Sequence, residues 1–245
     1  MSRNAKAPAR AVRAVFLDDG GVLNDNERRA PEWRRLLGEY FVPRLGGTLD
    51  AWAAANTIVI KDIWRDWQRL QERGEPVGPE WWPAQDPRWL AGMCERVGVA
   101  VPADVEGTVR ASQLHVIRNI ECAYPDAAPA MHAMRAKGIA LHLASGGQAW
   151  ELEAYMRRMG VWELIGHPYG VDLIGTSKTS PRYYERIVAD SGVDPRAAIV
   201  VDSHAGPLEW ADATGFHTIH LDRLGTGSRF PRITSLDELI PLLDA

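Results

Sequence analysis

Apolar residues fall in short runs along this chain, and three of those runs break off at a polar residue. Val12 to Leu17 ends on Asp18 and a Gly-Gly turn, Ile139 to Ala144 ends on Ser145, and Ala197 to Val201 ends on Asp202. Phe216 to Leu221, with histidines and a threonine among its apolar residues, reads as a further strand. Runs this short and rich in branched side chains predict buried strands. Helical patterns separate them. Tyr124-Pro125-Asp126 opens a helix through Met131 and Met134 that stops at Gly138, and Gln148 to Met159 forms another. Ser180 is a helix N-cap with Pro181 in the first turn, leading into Tyr183 to Ala189, and Leu236 to Leu243 closes the chain as a helix. Strand and helix alternating with short links predict an α/β fold, a Rossmann-like parallel sheet flanked by helices.

Between the first two strands the pattern changes for about a hundred residues, which read as helical. Seven of the ten tryptophans lie there, and Ile58, Ile60, Ile63, Trp64, Trp67 and Leu70 recur at the spacing of one apolar helix face. Their first reading is helix packing; a pocket lined by some of the rings stays open. Glu72 to Pro87, with four prolines and two glycines, reads as a loop between helices. The expected organisation is therefore a core domain of residues 1–25 and 123–245, interrupted by a helical domain of residues 26–122.

Composition narrows the partners. At 245 residues and net charge −4, with 46% hydrophobic and 24% charged residues, the chain suits a soluble globular protein and gives no electrostatic case for nucleic acid or membrane. Arg3, Lys6, Arg10 and Arg13 precede no long apolar run, so the start reads as a frayed tail and not a signal peptide. Cys94 and Cys122 lack metal-type spacing and read as packed, reduced thiols in a cytoplasmic setting. A small molecule is the expected partner.

Asp18, Ser145 and Asp202 at strand ends, with Lys178 in the polar loop Gly175 to Pro181, form one constellation, because open α/β sheets bind ligands at the C-terminal ends of their strands. A carboxylate nucleophile, a hydroxyl, a cation and a second carboxylate suit phosphoryl transfer. Asp18 would attack, Ser145 and Lys178 would hold the transferring oxygens, and Asp18 with Asp202 would bind a hard cation such as Mg²⁺. Gly146 and Gly147 could offer backbone N–H groups to an anion at the next helix's start, and His204 beside Asp202 is a candidate substrate contact or donor. His142 reads as a satisfied sheet residue, and His115 and His132 have no ligand partner at metal spacing.

In order, Asp18-Asp19-Gly20-Gly21-Val22-Leu23, the strand LHLAS, SKTSPRYY and AIVVDS make the chain resemble the haloacid dehalogenase-like (HAD) hydrolases. The resemblance covers about Val12 to Asn24 and Tyr124 to Asp222; the insertion matches in position and helical character only. It implies a helical cap over a Rossmann-like core, Asp18 as nucleophile, Ser145 and Lys178 as its partners, and Mg²⁺ held by Asp18, Asp202 and the Gly20 carbonyl. It also implies a Mg-dependent phosphatase acting on a small phosphorylated metabolite.

Two positions depart from the phosphatase pattern. Gly20 stands where most such phosphatases carry the Asp that protonates the leaving group, and Asp202 lacks an acidic companion at Val201 or Gly206. Asp19 is one residue too early on an alternating backbone, while Glu209 and Asp212 read as exposed helix positions. Family members that cleave carbon–halogen bonds also lack the second Asp, so a 2-haloacid dehalogenase is one alternative and a catalytically degenerate binding protein another. Imine chemistry would need Lys61, the one lysine of the insertion, which reads as a solvated charge.

Overall fold

The structure is a computed structural model that describes residues 11–74 and 77–243. The basic residues Arg3, Lys6 and Arg10 and the loop residues 75 and 76 lie outside it. In chain order, β1 (Ala14–Leu17) is followed by α1 (Asn26–Leu45), α2 (Leu49–Glu72), α3 (Asp86–Val97) and α4 (Val105–Asn119). Next come α5 (Ala127–Ala136), β2 (Ala140–Ala144), α6 (Ala149–Met159), β3 (Ile165–Tyr169), α7 (Val171–Ile174) and α8 (Pro181–Ser191). The chain then runs through β4 (Ala198–Asp202), α9 (Ala205–Ala213), β5 (His217–Leu221), β6 (Arg232–Ile233) and a 3₁₀ segment over Leu236–Leu243. That last segment corrects the expected α-helix, and Pro241 within it cannot donate an α-helical hydrogen bond.

The strands form one parallel sheet in the order β3-β2-β1-β4-β5-β6. Every residue of β1 and β4 is buried, which is why both read as unbroken apolar runs. On one face Phe16, Val200, Tyr169, Tyr184 and Phe216 share a core. Both edge strands escaped the sequence pattern. β3 reads IGHPY, with a proline that an edge strand tolerates and a glycine where a Cβ would come within 2.9 Å of the His142 ring. β6 is only two residues long.

Backbone contacts divide the chain into a unit running up to Asn26 and onward from Cys122, and a second unit, Glu27–Glu121. Where the chain leaves and re-enters the first unit, it pairs with itself. Asn24 and Ala123 form an antiparallel bridge, the Asp25 N–H donates to the Cys122 carbonyl (2.7 Å), and the Tyr124 N–H donates to the Leu23 carbonyl (2.9 Å). In the helical unit, Phe41 stacks on Trp52 at 4.5 Å, and Ala55, Val59, Ile63, Trp89, Leu90 and Met93 are buried. The indole N–H groups of Trp52 and Trp89 donate to the Gly46 carbonyl and the Asn56 side-chain oxygen. The buried face of α2 is thus Trp52, Ala55, Asn56, Val59 and Ile63; of the predicted stripe Ile63 lies on it, while Ile58 and Trp64 are each 47% exposed. Trp64, Trp67, Trp81 and Trp82 contact one another ring on ring.

His142 departs from expectation as well. Its ring stacks on Phe16 at 4.8 Å and lies 5.5 Å from His167, yet its Nδ1 is buried with no hydrogen-bond partner. Burial, then the charges of His167 and Arg135, pushes its pKa down to about 4. An unfolded histidine takes up its proton near pH 6.5, whereas the folded one resists until about pH 4, so stability is full above pH 6.5 and is lost as pH falls between these values. We expect His142→Leu to remove about 2–3 kcal/mol of that acid-dependent loss. Urea midpoints of both proteins from pH 7 to pH 4 check this; parallel curves would refute it.

Candidate active site

Three neighbouring strands deliver the site. β2, β1 and β4 lie side by side in parallel, and their C-terminal ends carry Ser145, Asp18 and Asp202. The loop between α7 and α8 brings in Lys178. Its Nζ donates to Asp18 Oδ1 (2.9 Å), Asp202 Oδ2 (2.6 Å) and the Ala144 carbonyl (2.6 Å). Those three acceptors use all three ammonium protons. The Lys178 side chain is 6% exposed and that of Asp202 1%.

One cation faces two carboxylates here, and the carboxylates respond differently. Burial raises the Asp18 pKa to about 6; the Lys178 charge opposes that rise and the Asp202 charge adds to it. Burial disfavours the Asp202 anion too, but Lys178 and His204 outweigh it and hold that carboxyl below its ordinary range. Burial works against the Lys178 ammonium, and the two anions more than reverse it. Among Asp18, Lys178 and Asp202 the arrangement at neutral pH is therefore anion, cation, anion, one negative charge in surplus before His204 is counted.

The turn after β1 is tied on both sides. The Asp19 carboxylate accepts from Asn24 Nδ2 (2.6 Å), and Asn24 Oδ1 in turn accepts from Cys122 Sγ (3.3 Å). Asp19 is buried and bound into the turn, which accounts for the Asp doublet without a proton-donor role. Ser203 Oγ donates to the Gly20 carbonyl (3.0 Å). Gly21 has φ +81°, and a Cβ there would lie 2.5 Å from Ser203 Oγ, so only glycine lets the two loops meet.

The remaining candidates are placed unevenly. The His204 N–H donates to Asp202 Oδ1 (2.8 Å), while its ring is largely exposed with Nδ1 3.1 Å from Ser203 Oγ; hydrogen bonding to Asp202 raises its pKa. Gly146 and Gly147, the expected donors to an anion, lie just before α6, with the Gly147 N–H 3.5 Å from Ser145 Oγ. The first N–H groups of α6 are taken, Gln148 by Glu151 Oε2 (3.0 Å) and Ala149 by Asp172 Oδ1 (2.8 Å), so an anion there would meet two carboxylates. What Gly146 provides is open space, with nothing within 4 Å of a Cβ. Glu209 and Asp212 lie on the exposed side of α9, and Lys61 is exposed on α2.

Sequence reasoning overlooked two tyrosines on α8. Both are fully buried, and Tyr183 OH lies 2.6 Å from the Tyr169 carbonyl and 3.1 Å from that of Ser145, pinning the end of β2 to β3. The Tyr184 hydroxyl is buried close to the Lys178 ammonium, and its pKa is raised by burial, which the Lys178 charge opposes. The one available signal was their place in the first two turns of the helix that follows Lys178.

The family profile of the haloacid dehalogenase-like hydrolases matches residues 12–205. (S)-2-haloacid dehalogenase 4A of Burkholderia cepacia is 28% identical over 127 residues, 49% of this chain and 55% of that protein. The chain thus spans about half the length of that relative, and likewise of a second dehalogenase from a Pseudomonas species. Phosphatase MT3486 of Mycobacterium tuberculosis is 26% identical over 240 residues, 96% of this chain and 98% of that one. Among solved structures, the HAD hydrolase YfnB of Bacillus subtilis shares the fold with TM-score 0.68 at 15% identity, covering 96% of this chain and all of that one.

Two substitutions should move stability in opposite directions. Lys178→Met leaves two buried carboxylates without their cation and should cost about 3–5 kcal/mol. Asp18→Asn removes an anion that the fold holds above its ordinary pKa, so the variant should melt higher than the parent at pH 8. The difference should shrink as pH falls from about 6 toward 3.8, where the parent's own Asp18 becomes protonated in both states. Thermal melts across that range test both, and a destabilised Asp18→Asn at pH 8 would contradict the burial penalty on the Asp18 anion. With a profile match that runs from the first strand through the loop after β4, the chain belongs to the haloacid dehalogenase-like hydrolases.

Proposed function

We propose that this hydrolase uses Asp18 as nucleophile on a small phosphorylated compound, with a divalent cation beside it, and favours leaving groups that depart without a proton from the protein. The observation that carries the reading is the second carboxylate: Asp202 stands on the strand next to Asp18 and shares its lysine. The surplus anion would repel a phosphorylated substrate unless a further cation joined the site. Oxygen donors suit a hard ion. Asp18, Asp202 and the second lone pair of the Gly20 carbonyl would hold Mg²⁺, which when bound would neutralise the surplus and polarise the phosphoryl oxygens. No described cluster adds a third acidic or histidine side chain, so water and substrate would complete the shell.

The chain's own residues then divide the work. The Asp18 carboxylate attacks phosphorus and displaces the leaving oxygen, giving an aspartyl phosphate that water hydrolyses to inorganic phosphate and the free carboxylate. Lys178 keeps Asp18 oriented and lowers its basicity, Ser145 offers a hydroxyl to the transferring group, and His204 offers a ring nitrogen at the rim. Position 20 supplies no acid, and Asp19 is engaged by Asn24. The helical unit Glu27–Glu121 is proposed as the cap that selects the substrate. A cytoplasmic setting goes with two buried cysteines outside any disulfide; no described helix is long and apolar enough to cross a membrane.

The missing acid also favours a second reading, displacement of halide from a 2-haloacid, because halide leaves unprotonated. A panel of phosphorylated metabolites and 2-haloacids, assayed for phosphate and halide with Mg²⁺ or with chelator, separates the two. Phosphate release should require the metal and fall by roughly 10³-fold or more in Asp18→Asn. Halide release in chelator would replace this proposal with dehalogenation, and tight ligand binding without turnover would mark a degenerate member.

A further inference from the structure

The place a side chain at position 20 would occupy is already filled. A Cβ built on Gly20 would lie 2.9 Å from Asn26 Oδ1 and 3.1 Å from Asn26 Nδ2, so the Asn26 carboxamide lies over this glycine. Asn26 is the first residue of α1, is exposed, and its amide makes no hydrogen bond to any described residue. Gly20 follows Asp18 by two residues, in the turn that Asp19 closes by accepting from Leu23 and Asn24, so the Asn26 carboxamide lies against the turn that carries the nucleophile. Two donors and an acceptor therefore stand uncommitted beside the nucleophile's loop.

We propose that Asn26 is a specificity-determining residue: its carboxamide takes the place of the absent acid and hydrogen-bonds the substrate's leaving group without being able to protonate it. The inference rests on the reading of Asp18 as nucleophile. A neutral amide stabilises a departing oxygen or halide by a hydrogen bond but transfers no proton, so the site discriminates against leaving groups that must be protonated. It also makes an aspartate at position 20 and the Asn26 amide competitors for one place. The aspartate Cβ would press on the Asn26 amide, and that amide would have to move first.

Two measurements test this on the full chain. In the first, kcat/KM is compared for p-nitrophenyl phosphate and a simple alkyl phosphate, and the ratio alkyl to nitrophenyl is read, so that effects on binding the common phosphoryl group cancel. Asn26→Asp should raise that ratio by about 10²-fold, the scale of general acid catalysis, and the pair Gly20→Asp/Asn26→Ala should raise it more than Gly20→Asp alone. In the second, the Asn26 side-chain amide ¹H–¹⁵N signal, assigned by its loss in Asn26→Ala, is followed on adding inorganic phosphate or 2-chloropropionate; it should shift. An unchanged ratio and an unmoved signal, with phosphate release still dependent on Asp18, would overturn the role of Asn26 and leave the proposed activity standing. A signal that shifts with 2-chloropropionate, while no phosphate is released, would overturn the phosphatase reading and keep Asn26 as the leaving-group contact. No shift with either probe and no turnover would reject both.

Discussion

A single buried ammonium holds this site together. Lys178 reaches from a loop into the gap between two strand ends and gives each of its protons to a different element: Asp18 after β1, the last carbonyl of β2 and Asp202 of β4. Without it, two carboxylates on adjacent strands would face each other in a medium too poor in water to screen them. The sheet supplies the spacing, since parallel strands in register bring their ends to one level. The lysine makes that spacing tolerable, and Tyr183 fixes the backbone on its far side. Its stabilisation is incomplete, because burial raises the pKa of Asp18 by more than the Lys178 charge lowers it, and the Asp202 charge adds to the rise. The fold thus keeps its prospective nucleophile in a less comfortable state than a surface aspartate enjoys, a familiar exchange of stability for reactivity.

The centre of the sheet was legible because burial on both faces favours apolar residues, so β1 and β4 announce themselves, and β2 and β5 remain readable despite the histidines they carry. Their ends were legible for the complementary reason, since polar residues that interrupt such runs mark where the chain emerges. The edges were not. In β3 a glycine and a proline satisfy local needs, clearance for the His142 ring and an edge without a ladder donor, and both erase the strand signal. The misplaced face of α2 has another cause: tryptophans and isoleucines lie on both sides of that helix, and an outer ring-on-ring cluster mimics the periodicity of the buried one.

At the site, residue identity could be read from spacing but occupancy could not. Asp18, Ser145, Lys178 and Asp202 lie where strand ends put them, whereas the partners of Asp19 and the filling of the space at Gly20 depend on side chains five and six residues onward folding back over the turn. The helix start after Ser145 shows the same limit. Two glycines suggest a vacant anion cradle, and only the fold reveals that Glu151 and Asp172 take the N–H groups of Gln148 and Ala149 just beyond them.

The short antiparallel pairing of Leu23–Asp25 with Cys122–Tyr124 bears on how such a protein can change. It brings together the two ends of a ninety-five-residue excursion, Glu27–Glu121, within the unit that carries the chemistry. To the sheet, everything beyond that clasp is a loop whose ends already meet. Closure entropy grows only slowly with loop length, so lengthening, shortening or exchanging the excursion alters little of what the sheet must supply. The clasp is therefore a natural grafting point, at which a lineage can trade one recognition module for another while the charged centre stays untouched.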